Sequence, residues 1–137
     1  MSYRKEQILA LAGVDTSQLS KEDLATLFNE YLENSMHGLC FSAYEEGQKP
    51  GDQLREEQID RRMQIIRPHT KWVRSFSCTD GNELVAKSAK KYGLKTLVGA
   101  WLGNDPEINQ REIEGLIKIA KEGFVDIAAV GNEVMYR

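Results

Sequence analysis

From Met36 onward, apolar residues come in short runs separated by longer stretches where they recur every three or four positions. The runs predict strands and the recurring stretches predict helices. A first strand is expected over residues 37–42. A polar loop with Gly47, Pro50 and Gly51 follows, then a helix from about residue 54 to 66, which must stop ahead of Pro68. The second strand falls over residues 71–77. Asp80 and Glu83 are placed as a capping pair for a helix that reaches Tyr92 and ends at Gly93. The third strand covers residues 95–101. Asn104 or Asp105 caps the next helix, with Pro106 near its first position. Ile113, Leu116, Ile117 and Ala120 form that helix's expected buried stripe, and Gly123 ends it. The fourth strand is expected over residues 124–130, followed by Gly131-Asn132-Glu133-Val134.

Strand and helix therefore alternate, which is the βαβ pattern with right-handed crossovers. Apolar runs such as residues 97–101 and 127–130 predict strands buried on both faces. Residues 1–35 read differently, as an N-terminal helical extension. Ile8, Leu9, Leu11 and Ala12 suggest a short helix stopped by Gly13. Ser20 caps a second helix, with Asp23 in the capping-box position. Its apolar residues Leu24, Leu27, Phe28, Tyr31 and Leu32 fall on one helical face.

Composition narrows the function classes. At 137 residues the chain can bury a real core. A net charge of -3 gives no general steering toward nucleic acid or membrane, and neither is expected as a partner. Cys40 and Cys78 lack CxxC or zinc spacing and read as reduced core thiols of a cytosolic protein. The N-terminal residues lack an apolar signal core. The expected location is cytoplasmic in this form, and a secreted parent with its signal removed stays open. His37 and His69 are isolated, so no metal is expected. Gly99, Gly103 and Gly131 make no phosphate-binding fingerprint, and no cofactor is expected. Lys87, Lys90 and Lys91 read as a solvated basic helix face.

Residues 38–44, 69–81, 93–103 and 125–134 together resemble family 17 of the glycoside hydrolases, the β-1,3-glucanase-type family. The carrying stretches include Gly38-Leu39-Cys40-Phe41-Ser42-Ala43-Tyr44, Val73-Arg74-Ser75-Phe76-Ser77 and Val130-Gly131-Asn132-Glu133. The order and spacing match over about 100 residues, and an Asn-Glu pair ending the fourth strand is the most specific element. The resemblance implies half a TIM barrel: an α/β domain over residues 36–137 with four parallel strands and three crossover helices, preceded by the extension. It implies that Glu133 is the catalytic acid/base and that Asn132 contacts the sugar. Phe41, Tyr44 and Arg74 then fall near the sugar-binding mouth. Trp101 is a candidate sugar platform, and Trp72 a weaker one.

A retaining glycosidase needs two carboxyl groups about 5–5.5 Å apart. In this family the nucleophile stands on a seventh strand, which lies beyond the strands of this chain. A complete barrel of this kind takes about 250 residues. The expectation is thus a truncated glycosidase half-barrel, its parent activity retaining hydrolysis or transfer on β-1,3-glucan, and catalytically incomplete alone. The alternative is a non-catalytic self-associating scaffold or carbohydrate-binding module. Two copies closing a pseudo-barrel as a homodimer is the expected assembly, with β-glucan or an oligosaccharide as ligand. The other way to cover the open sheet is the N-terminal helix.

Overall fold

A computed structural model describes residues 16–134. The chain divides into two compact units, Met1–Asn34 and Ser35–Arg137. The expected helix around Ile8 to Ala12 lies outside the described residues.

In the first unit a 3-10 turn, Thr16–Gln18, leads to helix α1, Lys21–Glu33. Ser20 caps it as expected. Its hydroxyl oxygen accepts from the Asp23 N–H at 3.1 Å, and its proton goes to the Asp23 carboxylate at 2.8 Å. Both bonds use otherwise unfilled groups of the first turn. Leu24, Phe28 and Tyr31, all from the apolar stripe, are exposed.

The second unit alternates strictly: β1 (Met36–Cys40), α2 (Glu56–Ile66), β2 (Thr70–Ser75), α3 (Glu83–Lys91), β3 (Lys95–Ala100), α4 (Pro106–Lys121) and β4 (Ile127–Val130). The four strands form one parallel sheet in the order β1-β2-β3-β4. This is the expected α/β architecture with an N-terminal helix, consistent with half a barrel. Asp105 caps α4 with Pro106 in its first turn, as the sequence indicates, and its carboxylate accepts from the N–H groups of Glu107 and Ile108. The cap of α3 differs from expectation. Asn82 holds that position, while Asp80 sits two residues earlier with φ of 54°.

Pairing register assigns the two faces of the sheet, because paired residues in a parallel ladder share a side. Val73, Thr96 and Val98 turn toward the helices and are buried. Val73 packs with Ile59, Met63, Val85 and Ala89, and Val98 with Ala86, Leu116 and Ile119. Ile59 and Met63 are fully buried, and shortening either to Ala typically costs about 2–5 kcal/mol. Cys40, Arg74, Leu97 and Ile127 form one row across the opposite face. They line a shallow depression of 250 Å³ there. Cys40 is exposed, so only Cys78 is a core thiol. Ile127 is 46 % exposed and Val130 65 % exposed, so β4 is not buried on both faces. The helices of this unit pack on one side of the sheet, and β4 is an outer strand.

The buried stripe of α4 also differs from expectation. Glu112, Leu116 and Ile119 are buried, whereas Ile117 and Ala120 are exposed. Arg111 and Glu122 reach from α4 to Asp80 and Lys87, which fixes the side of α4 that faces α3. Ile117 and Ala120 lie on the other side. Ala128 and Val130, which share the helix side of the sheet by register, are exposed as well. The apolar stripe is thus wider than its neighbours cover.

The three lysines of α3 are not simply solvated. Lys87 pairs with Glu122 at 2.9 Å, Lys90 with Asp126 at 2.5 Å and Lys91 with Asp60 at 2.8 Å. Lys90, and then the Thr96 N–H, hold the Asp126 carboxyl below its usual range. These pairs tie α3 to its neighbours on both sides.

Candidate functional site

The carboxyl ends of β1, β2 and β3 open into a cleft of 470 Å³. Parallel α/β sheets place their sites at this end, because the connecting loops gather there. Phe41, Tyr44 and the turn Pro50-Gly51 come from the loop after β1. Phe76, Ser77, Thr79 and Asp80 come from the loop after β2. Trp101 ends β3, and Ile108 and Glu112 lie on α4. Aromatic faces and polar groups therefore share one wall.

The loops are held from behind. The buried Gln58 amide donates to the Ala43 carbonyl and to Gln48 Oε1, each at 2.6 Å. Arg61 pairs with Glu45 at the outer end of the same loop. The Leu54 N–H donates to the Asp80 carbonyl at 2.9 Å, stitching the first loop to the second. Next to it Gly81 has φ of 90°, and a Cβ there would meet the Leu54 carbonyl oxygen at 2.5 Å. That site needs glycine for both its backbone conformation and its clearance.

Glu112 is the central polar group of the wall and is 2 % exposed. Its Oε1 accepts from the Ser77 hydroxyl at 2.5 Å and the Thr79 hydroxyl at 2.7 Å. Its Oε2 accepts from the backbone N–H of Cys78 at 2.8 Å and of Trp101 at 3.0 Å. One helix side chain thus clamps the ends of two strands. The close approach depends on Gly115, one turn along α4, where a Cβ would meet the Cys78 carbonyl oxygen at 2.4 Å. The Cys78 thiol is pushed up to about 12, first by burial and then by the Glu112 charge, and it donates to the Gly99 carbonyl at 3.3 Å. It is a packing group, not a nucleophile. The side-chain amide of Asn82 donates to the Tyr44 hydroxyl oxygen at 3.1 Å, and Arg111 pairs with Asp80 at 3.0 Å.

The six residues singled out from sequence separate into two groups. Phe41, Tyr44 and Trp101 line the cleft. Arg74 and Asn132 are joined to each other, Nη2 to Oδ1, at 3.1 Å, and the Arg74 guanidinium lies 4.7 Å from the centre of the Phe76 ring. Arg74 Nε is buried without a partner. Glu133 is exposed, with φ of 56° just beyond Gly131. The lining of the cleft does not include Arg74, Asn132 or Glu133. Trp72 stacks on His37, ring centres 6.2 Å apart, and lies away from the cleft. Sequence reasoning missed Glu112, Ser77, Thr79 and Asp80. The available signal for Glu112 was its position: with Leu116 and Ile119 it completes an i, i+4, i+7 core spacing on which a charge is unusual.

No family model matches the chain, and neither a curated protein nor a solved structure matches it significantly.

Proposed function

We propose that this chain is a glycoside hydrolase family 17-like half-barrel whose cleft binds a β-1,3-glucan type of oligosaccharide. The observation that supports this most is the cleft itself. Phe41, Tyr44, Phe76 and Trp101 bring aromatic rings beside hydroxyl and amide groups at the carboxyl ends of parallel strands. A pyranose needs that pairing, since it has an apolar C–H face for stacking and a rim of hydroxyls. In this reading Glu133 holds the acid/base position and Asn132, steadied by Arg74, the sugar-contacting position, both beyond the residues that line the cleft.

Turnover by this chain alone is not part of the reading. Retaining hydrolysis needs a nucleophile about 5–5.5 Å from the acid/base. The carboxylates lining the cleft are Asp80, which is paired with Arg111, and Glu112, which accepts four hydrogen bonds. Neither is available to attack an anomeric carbon. A second copy of the chain is the proposed partner. It would pair β1 with β4 across a two-fold axis and cover exposed apolar residues such as Val130 on β4 and Ile117 on α4.

The test is a titration with β-1,3-linked glucose oligosaccharides, followed by tryptophan fluorescence and by release of reducing ends. Saturable binding that Trp101→Ala abolishes, with no new reducing ends, is the expected result. Absence of binding at millimolar sugar would reject the carbohydrate reading.

A further inference from the structure

We propose that Glu112 sets the hydrogen-bond polarity of the cleft, so that the wall formed by Ser77 and Thr79 accepts hydrogen bonds from ligand hydroxyls and does not donate them. The inference rests on the carbohydrate reading for its ligand, but not for its chemistry.

Four donors converge on the two Glu112 oxygens, so this side chain acts only as an acceptor. A serine or threonine hydroxyl has one proton to give. The Ser77 proton goes to Glu112 at 2.5 Å and the Thr79 proton at 2.7 Å. The competing contacts are longer: 3.3 Å between the two hydroxyls, and 3.4 Å from Thr79 to Asp80. Both protons are therefore committed behind the wall. Ser77 Oγ also accepts from the Thr79 N–H at 3.3 Å, so what the two oxygens can still offer the cleft is their remaining lone pairs. The Asp80 carboxylate beside them is likewise an acceptor, with one oxygen taken by Arg111. A ligand on this wall must bring its own donors, and adjacent sugar hydroxyls do so. The same carboxylate also fixes the Trp101 backbone, so ring and acceptors are positioned by one group.

Glu112→Gln tests this without emptying the site. The two backbone N–H groups facing Oε2 can only donate, so the glutamine carbonyl must take that side. The amide NH2 then faces Ser77 and Thr79, whose hydroxyls must accept from it. Their protons are released and turn to the cleft in competition with the 3.3 Å contact between the two hydroxyls and the 3.4 Å contact from Thr79 to Asp80. The wall gains donors while Cys78 and Trp101 stay anchored. The probes are a short β-1,3-glucose oligosaccharide and derivatives with single hydroxyls replaced by fluorine, which cannot donate.

In the wild-type protein at least one fluorinated derivative should bind about fivefold more weakly than the parent sugar. In Glu112→Gln that penalty should vanish or reverse. An equal penalty in both proteins would overturn the inference while leaving sugar binding intact. A second measurement needs no sugar. In NMR spectra of the wild-type protein the Ser77 and Thr79 hydroxyl protons should exchange slowly and be seen next to Glu112. In Glu112→Gln the Cys78 and Trp101 amide protons should stay protected while the hydroxyl signals are lost. Fast-exchanging hydroxyl protons in the wild type would reject the inference even if no sugar binds.

Discussion

Arg74 and Asn132, 58 positions apart in the chain, are joined by a hydrogen bond of 3.1 Å that runs from β2 to the loop after β4. The bond must cross β3, and on that face β3 offers Gly99 between Leu97 and Trp101. Arg74 thus ties the strand-four loop to the interior of the sheet. Replacing Arg74 with Met should lower stability by about 1 kcal/mol, below the usual worth of a charged hydrogen bond because the unpaired Nε is removed as well. The diagnostic effect is local. Amide exchange at Gly131, whose N–H donates to the Ala100 carbonyl, should accelerate while the core strands stay protected. Unchanged exchange at Gly131 would show that the bond does not hold the loop.

Asp60 carries a different kind of coupling. It accepts from Lys91, Tyr92 and Ser88, all reached from α2 across to α3 and its end. Lys91 above all, then the Ser88 and Tyr92 hydroxyls, lower its pKa from 3.8 to about 2 despite some opposing desolvation. The folded value lies below the unfolded one. The contribution of Asp60 is therefore complete above about pH 4–5 and is lost as pH falls through 2. Lys91 is raised from 10.5 by the same bond, so its share is present below that pH and fades above it. Urea midpoints measured from pH 7 down to pH 2 should fall less steeply in Asp60→Asn than in the wild type. Parallel curves would rule out this cluster as a source of acid sensitivity.

The fold was legible because its elements are locally marked. Ser20 and Asp105 announce helix starts, Gly93 and Pro68 announce ends, and the apolar runs of β2 and β3 cannot be helices of useful length. Burial was less legible. Ile117 and Ala120 belong to the apolar stripe of α4, but only tertiary packing decides which part of a stripe is covered. Cys40 reads as a core thiol because it lacks metal-site spacing, yet the register places it in the row with Arg74, opposite the face on which α2, α3 and α4 pack. In the site, Phe41, Tyr44 and Trp101 could be marked by strand-end position and the family resemblance. Glu112 could be marked only as a charge on a core spacing; its role could not be read, because its partners Ser77, Cys78, Thr79 and Trp101 come from two other strand ends.

The two cysteines should differ sharply in reactivity. Cys40 is exposed, whereas Cys78 is buried with its thiol pushed up to about 12. The thiolate is the reacting form, so at pH 8 Cys78 presents almost none of it. A native protein treated with a thiol reagent at that pH should be labelled at Cys40 only. Both should react after denaturation, and labelling of Cys78 in the native state at a comparable rate would contradict the burial.

Ile117 decides the proposed assembly. It is 48 % exposed on α4, the helix that leads into the edge strand β4. Ile117→Lys should leave the fold of this unit within about 0.5 kcal/mol of the wild type, since exposed positions away from special features change stability little. If a second copy covers this residue, the same change buries a charge at the contact without a partner, at a cost of several kcal/mol per interface. A two-fold pseudo-barrel uses the contact twice, so the penalty counts twice. Light scattering across a dilution series should find the wild type at about twice the chain mass and Ile117→Lys at the chain mass, with matching circular dichroism. A wild-type protein that is already monomeric at micromolar concentration would remove the second copy as the cover for this edge. The cleft chemistry around Glu112 would stand unaffected, because every one of its partners belongs to the same chain.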